Sequence, residues 1–103
     1  MVHLKSHFEK LPAMFRLGII GAGWIARKMV RALAPLDGVE VYAIGSRDAA
    51  KAEAFAHEFD IPVSYGSYTE LVSDPLVDLV YIATPHSHHY DHSMLALEYG
   101  KPV

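Results

Sequence analysis

The chain has no cysteine among its 103 residues, which excludes a disulfide framework and a metal site built on thiolates. It has no apolar run close to the roughly 20 residues that a membrane-spanning helix requires, and no apolar segment of a secretory signal near its start. Charge is also scarce, since charged residues make up 20% of the chain and the net charge is −3. We therefore expect a cytoplasmic globular protein that binds neither nucleic acid nor a membrane surface.

Hydrophobic residues are abundant instead, at 51%. This content is typical of a sheet covered on both faces, or of a domain that hides a surface against a partner. Residues 1–14 show no clear periodicity and are interpreted as an N-terminal extension. Residues 15–103 have the length of one small domain.

Strands and helices are predicted to alternate along residues 15–103. The predicted strands cover 16–20, 39–44, 61–65 and 78–83, and the predicted helices cover 24–34, 49–59, a short turn after 67, and 89–99. Met94, Leu95 and Leu97 are expected on the buried side of the last helix. This alternation predicts an α/β fold, a doubly wound parallel (Rossmann) sheet in the order 3-2-1-4. Residues 101–103 resemble the start of a fifth strand, so we expect the sheet to be truncated after about four strands.

Local signals predict several of these boundaries. Asp48 is a plausible N-cap for the second helix, and the spacing of Ser67 and Glu70 is that of a capping box before the third. Pro62 lacks a backbone donor, so the third strand is expected at an edge of the sheet or to begin at that residue.

A glycine-rich turn follows the first strand. Gly21-Ala-Gly23-Trp-Ile-Ala26 has the G-x-G-x-x-A spacing of a dinucleotide-binding turn between a strand and a helix. In this pattern Gly21 permits the tight turn, Gly23 lets the backbone approach a pyrophosphate, and Ala26 allows close packing of the helix on the sheet. The amides around Trp24 and Ile25 would then point at the ligand from the positive end of the helix dipole.

A polar segment, Ser46-Arg47-Asp48, follows the second strand, where NAD-binding folds usually place an acidic residue for the ribose 2′-OH. The hydroxyl and the guanidinium, with Lys51 one turn further, suit the 2′-phosphate of NADP instead. Two alternatives stay open. Arg47 and Lys51 could be solvated residues at a helix entry with Asp48 as its cap, or Asp48 could accept from a 2′-OH and favour NAD.

Thr84-Pro85-His86-Ser87-His88-His89 follows the fourth strand, next to the first strand at the topological switch point. We expect Thr84, Pro85, His86 and His89 to contact the cofactor. His92 completes a cluster that could bind zinc on ligand type alone, but no further metal signature accompanies it. Metal binding is therefore not predicted.

Several of these segments resemble the Gfo/Idh/MocA oxidoreductases, the glucose–fructose oxidoreductase and inositol dehydrogenase family that includes dihydrodiol and xylose dehydrogenases. The matching segments are Leu17–Ala26, Ser46-Arg47-Asp48 with Lys51-Ala52, Tyr65–Leu71, the Thr84–His89 turn, and Gly100-Lys101-Pro102-Val103. The family's T-P-N-x-x-H turn has His86 here in place of asparagine. The resemblance covers nearly all of residues 15–103.

The resemblance implies a nucleotide-binding domain that uses NADP, with NAD as the alternative. The parent enzyme would transfer hydride between the nicotinamide and a sugar, polyol or diol, and would form a homo-oligomer. The family's catalytic E-K-P lysine would fall just beyond Val103 and the substrate domain would be absent, so no catalytic residue is assigned and residues 1–103 alone are expected to be inactive. The alternative is a stand-alone module that senses a nucleotide or binds a partner without catalysis.

Overall fold

The computed structural model describes residues 15–103, so the predicted N-terminal extension lies outside the described residues. The strands are β1 (Phe15–Ile20), β2 (Val39–Gly45), β3 (Val63–Tyr65) and β4 (Leu79–Ile82). The α-helices are α1 (Trp24–Leu33), α2 (Ala49–Phe59), α3 (Tyr68–Val72) and α4 (His89–Glu98), and a 3₁₀ turn covers His86–His88. The four strands are parallel in the order β3-β2-β1-β4, which confirms the predicted topology.

Helices cover both faces of the sheet. On one face Leu17 and Ile19 of β1 pack with Ala26 of α1 and Phe55 of α2. On the other face Ile20 belongs to a cluster formed with α3, β4 and α4, whose further buried members include Leu71, Val72, Val80 and Ala96. Because alternate residues of β1 enter opposite clusters, the strand reads as a continuous apolar run. None of the described helices is long and apolar enough to cross a membrane.

The predicted N-caps are confirmed. Asp48 accepts hydrogen bonds from the amides of Ala50 and Lys51 at 3.0 and 3.2 Å. Ser67 accepts from the amide of Glu70 at 3.2 Å and donates its hydroxyl to the Glu70 carboxylate at 3.1 Å. Helices α2 and α3 therefore each begin with a side chain that accepts hydrogen bonds from amides of the first turn.

The third strand is shorter than predicted. It begins at Val63 and pairs with β2 at the edge of the sheet. Ile61 belongs to the end of α2, because Asp60 adopts a left-handed conformation (φ 55°) and the amide of Ile61 donates to the carbonyl of Ala56. The helix terminus thus uses the residue that the apolar pattern assigned to the strand.

The predicted buried face of α4 is wrong for two of its three residues. Met94 and Leu97 are exposed, at 45% and 54% of their surfaces, whereas Ala96 is fully buried. Leu95 is partly buried and packs against the core, as predicted. A small side chain at position 96 lets α4 approach α3 and β4 closely, and this turns the larger residues away from the sheet.

Asp74 joins several elements of the sheet's second face. It is 7% exposed and accepts hydrogen bonds from the Tyr65 hydroxyl (2.7 Å) and the Leu76 amide (2.8 Å). The Lys101 ammonium donates to the Asp74 carbonyl at 2.8 Å. Burial acts to raise the pKa of Asp74, but hydrogen bonds from Tyr65, Leu76 and Tyr42 outweigh it and hold that pKa below its ordinary value. The same hydrogen bond, with burial, raises the pKa of Tyr65 to about 12.

We expect Asp74→Asn to reduce the free energy of unfolding at neutral pH by about 1.5–3 kcal/mol, because asparagine is uncharged and has one acceptor oxygen for the two donors, Tyr65 and Leu76. Since the folded pKa is lowered, the part of this stability that depends on ionisation of Asp74 is present above the ordinary pKa of 3.8 and disappears as the pH falls through the folded value. The free energy of unfolding, measured by chemical denaturation and plotted against pH, should therefore fall less steeply at acid pH (the acid limb) in the variant. Asp37→Asn, at an exposed carboxylate, is the matched control and should leave the limb unchanged.

Candidate dinucleotide site

A crevice of about 320 Å³ lies at the carboxyl ends of β1, β2 and β4. It is lined by Gly21, Ala22, Gly23, Ser46, Arg47, Asp48, Lys51, Tyr68, Ala83, Thr84 and Pro85. The three segments that the sequence singled out after these strands therefore meet around one space. Ligands of open parallel sheets bind at this edge, where the strand order reverses between β1 and β4.

The two glycines of the turn after β1 have different surroundings. Gly21 adopts φ +103°, and a Cβ there would lie 3.1 Å from the carbonyl group of Ala83 and from the Thr84 methyl group. Gly23 has an extended backbone, and a Cβ added to it would meet nothing within 4 Å. Gly21 is thus required by the turn itself, whereas Gly23 leaves open space in front of the helix.

The amino end of α1 differs from those of α2 and α3. Gly23 is its N-cap, no side chain caps it, and its first turn contains no acidic residue. The amides of this turn are therefore left for an external acceptor, and the helix dipole favours an anion there. The open space at Gly23 gives a phosphate group access to these amides, so the turn fits a pyrophosphate.

The segment after β2 presents two cations to the crevice. Arg47 and Lys51 are exposed, while Ser46 is buried and its hydroxyl accepts from the Asp48 amide at 3.2 Å. That hydroxyl keeps its own proton for a ligand. Asp48 uses one carboxylate oxygen, Oδ1, as the cap of α2. The cap predicted for Asp48 is therefore real, and only its second oxygen remains for a ribose hydroxyl.

Thr84 is held by two histidines of α4. It is 5% exposed, its hydroxyl lies 2.8 Å from His92 Nδ1, and its carbonyl lies 2.9 Å from His89 Nε2. A carbonyl oxygen can only accept, so Nε2 of His89 carries a proton. His89 thus acts on the crevice through the backbone of Thr84.

Some of the predicted residues do not line the crevice. Trp24 is 66% exposed and borders a separate apolar groove together with Ile25, and Ala26 is buried against the sheet. Their backbone amides, at the start of α1, are the groups expected to matter. The backbone of His86 begins the 3₁₀ turn, and its predicted contact with the cofactor lies outside the described side chains. Sequence reasoning missed Tyr68, which lines the crevice because it follows the Ser67 cap at the start of α3.

Among the side chains that the structure describes, no group of three or more His, Cys, Asp or Glu is placed to hold a metal ion. His88 and His92 stack with ring centroids 5.7 Å apart. His92 also meets the ring of Tyr68 edge-on at 4.6 Å.

A second depression, of about 230 Å³, lies at the other end of the strands, where β2 begins. Leu33 and Ala34 at the carboxyl end of α1 line it, with Phe59 and Asp60 at the end of α2. Helix carboxyl ends carry partial negative charge and disfavour phosphates. Charge therefore distinguishes the two depressions, and only the crevice at the carboxyl ends of the strands suits an anionic ligand.

The parallel sheet, the uncapped glycine turn and the crevice at the switch point define a dinucleotide-binding domain of the Rossmann type. Residues 15–103 match the model of an oxidoreductase family with the NAD-binding Rossmann fold, GFO_IDH_MocA. The chain therefore belongs to the Gfo/Idh/MocA oxidoreductase family, as its nucleotide-binding domain.

Individual relatives agree with this assignment. The chain is 46% identical over 90 residues to a trans-1,2-dihydrobenzene-1,2-diol dehydrogenase of Mus musculus, covering 85% of this chain and 27% of the relative. It is 43% identical over 104 residues to a D-xylose 1-dehydrogenase (NADP(+)) of Hypocrea jecorina, covering 89% and 27%. The crystal structure of a Lactobacillus casei myo-inositol dehydrogenase with NAD(H) and myo-inositol superimposes with a TM-score of 0.79 at 30% identity, covering 85% and 26%. The chain thus spans about a quarter of the length of these proteins.

The two glycines allow a sharp test of the turn. We expect Gly21→Ala to lower the free energy of unfolding by at least about 1–2 kcal/mol, because an L side chain at positive φ is strained and the new methyl would press on Ala83. Gly23→Ala should leave stability nearly unchanged, because its backbone is extended and the space is open. Denaturant unfolding of the two variants measures the difference, and equal losses would contradict the division of roles.

Proposed function

We propose that this chain binds NADP in the crevice at the carboxyl ends of β1, β2 and β4. It would serve as the cofactor domain of an enzyme that transfers hydride between the nicotinamide and a sugar, polyol or diol. The observation that carries the proposal is the convergence of the Gly21–Gly23 turn, the Ser46–Arg47 pair and Thr84 around one space. The names of the mouse and fungal relatives, which act on a dihydrodiol and on D-xylose, support the substrate class.

Each segment has a separate part in holding the cofactor. The amides after Gly23 would bind the pyrophosphate, because they are uncapped and lie at the positive end of α1. Thr84 and Pro85 would bound the side of the crevice next to β4. When bound, the nicotinamide supplies the redox step, while the protein orients it and shields it from water.

The preference for NADP rests on the charges after β2. The guanidinium of Arg47 offers a planar set of donors to a 2′-phosphate, the Ser46 hydroxyl can add another, and Lys51 adds a second positive charge. NAD is the second candidate, favoured by the free Oδ2 of Asp48 and by the NAD(H) found in the myo-inositol dehydrogenase. The cap formed by Oδ1 argues for NADP, because it holds the carboxylate at the start of α2.

The cofactor test compares two nucleotides and two variants by calorimetry. The natural full-length protein should bind NADPH more tightly than NADH, and Arg47→Ala should remove most of that preference. The loss should be about 1.5–3 kcal/mol, roughly tenfold to over a hundredfold in affinity. Gly23→Val should instead abolish binding of both nucleotides without unfolding the protein, because its side chain fills the open space before α1.

The matched control is Arg31→Ala, which removes an exposed arginine from the last turn of α1, away from the crevice. It should leave both affinities unchanged. Equal or tighter binding of NADH by the natural protein would contradict the NADP assignment. Unchanged binding by a folded Gly23→Val variant would contradict the site itself.

No catalytic residue is assigned within this chain. By the family resemblance the proton-transferring lysine would fall just past Val103, so residues 1–103 alone are expected to hold cofactor without turnover. A stand-alone nucleotide-sensing or interaction module is the alternative function. A cytoplasmic location accords with the absence of cysteine.

The proposed homo-oligomer follows from the apolar surface beside β4. Met94, Leu97 and Val103 are each about half exposed, and the outer edge of β4 is joined to the chain's last residues by a hydrogen bond from the Val80 amide to the Pro102 carbonyl. An exposed apolar surface of this kind tends to recruit another chain.

We therefore expect residues 1–103 alone to sediment as dimers or larger species and to oxidise no simple sugar or diol with NADP. The double variant Met94→Lys, Leu97→Lys should shift the distribution toward monomer. Leu36→Lys, at an equally exposed apolar residue beyond α1, should not. A monodisperse monomer at high concentration would contradict the association, and NADP-dependent turnover by the fragment would contradict the inactivity.

A further inference from the structure

His92 lies behind the crevice, outside the motif residues that the family resemblance identifies. It is half-buried on α4 and borders a small cavity of about 80 Å³ lined also by Arg47, Tyr68, Thr84, Pro85 and His88. Four of these residues, all except His88 and His92, also line the main crevice. His92 therefore lies behind the residues that line the main crevice and is not itself in that lining.

Thr84 connects His92 to the glycine turn after β1. Its hydroxyl oxygen is 2.8 Å from His92 Nδ1, while its methyl group lies against Gly21, where an added Cβ would be only 3.1 Å away. The carbonyl of the same residue is fixed by His89 at 2.9 Å. Because the methyl and hydroxyl groups share one Cβ, the hydrogen bond to His92 also determines which side of Thr84 faces the turn.

We propose that His92 is a positioning residue of the cofactor site, whose Nδ1 accepts a hydrogen bond from the Thr84 hydroxyl and so holds Thr84 against Gly21 with its oxygen lone pairs toward the crevice. This inference rests on the proposed binding of a nicotinamide dinucleotide there. A neutral imidazole with its proton on Nε2 has an acceptor at Nδ1. A protonated imidazole donates from Nδ1 instead, and the Thr84 hydrogen must then turn elsewhere. Protonation of His92 thus changes the Thr84 hydroxyl from a donor to His92 into an acceptor from it, which frees the hydroxyl hydrogen to point toward the crevice.

The surroundings of His92 favour the neutral form. Burial lowers its pKa below the ordinary value of 6.5, and His88, Arg47 and His89 lower it further, while Asp91 acts in the opposite direction. Tyr68 adds only a ring edge from α3. At neutral pH His92 is therefore uncharged and able to accept from Thr84.

The test follows nucleotide affinity of the natural full-length protein between pH 5 and 8, with NADPH and NADH as probes. In the natural protein affinity should fall as the pH drops through the pKa of His92, which burial holds below the ordinary value of 6.5, because the neutral imidazole is needed. His92→Asn keeps an acceptor that does not titrate, so its affinity at neutral pH should be retained and its fall at low pH reduced. The 2′-phosphate of NADPH also titrates near pH 6, but this effect is common to both proteins and cancels in the ratio of their affinities.

His92→Phe keeps the ring contact with Tyr68 and removes the acceptor, so it should weaken binding at neutral pH by about two- to tenfold, the effect of one lost hydrogen bond. In a Thr84→Val background the difference in affinity between His92→Asn and His92→Phe should vanish, because the partner hydroxyl is gone. His57→Asn, at an exposed histidine of α2, is the matched control and should not alter the pH profile.

Imidazole nitrogen shifts measured by NMR test the hydrogen bond without any ligand. They should show His92 with its proton on Nε2 at neutral pH. Either a proton on Nδ1, or a pH profile of affinity identical in the natural protein and in His92→Asn, would overturn the role of His92 while leaving the cofactor site in place. Failure of the natural protein to bind either nucleotide would overturn the proposed function and, with it, this inference.

Discussion

The site depends on one close approach, that of Gly21 to the chain that leaves β4. The amide of Gly21 donates to the Gly45 carbonyl at 2.8 Å, and the carbonyl of Ile20 accepts from the Ala83 amide at 2.8 Å. Residue 21 is thus fixed between the ends of β2 and β4 at φ +103°, with no room for a side chain. The Thr84 methyl group lies against this contact, and α1 begins three residues after it.

The amino ends of the helices differ in how far side chains of the protein occupy them. Asp48 caps α2 and Ser67 caps α3, so their first amides are occupied within the protein. The first turn of α4 carries Asp91. Only α1, among these helices, begins with a glycine and has neither a side-chain cap nor an acidic first turn. The positive end that remains available is therefore the one that faces the crevice.

Much of the fold could be predicted from the sequence because its signals are local. Capping residues, glycine spacing and continuous apolar runs act within a few residues, and they indicated the strand order and the helix starts. The buried face of α4 could not be predicted, since Met94, Leu97 and Ala96 are all apolar and the choice depends on how closely α4 approaches α3. Likewise, Ile61 fits a strand by pattern, but the left-handed Asp60 assigns it to the end of α2.

The polar contacts that were missed depend on tertiary structure. Asp74 reads as a helix breaker next to Pro75, yet its partners come from β3 and from Lys101, 27 residues further along the chain. Tyr68 and His92 meet only because α3 and α4 pack side by side on the same face of the sheet. The residues of a binding motif are thus visible in the sequence, while those that orient them belong to the packed structure.

The glycine turn and the residues behind the crevice differ in how freely they can be substituted. The glycine turn has almost no freedom to vary, because a Cβ at Gly21 would press on the backbone of Ala83. The carbonyl of Thr84 is held by His89. The orientation of its side chain therefore depends on the hydrogen bond between its hydroxyl and His92. Tyr68 in the crevice lining and His92 behind it meet through their rings, but neither has a positive φ, so their replacement can change charge and hydrogen-bonding capacity without straining the backbone. If the proposed site is correct, changes in affinity or pH response would therefore arise on α3 and α4 while the glycine turn stays the same.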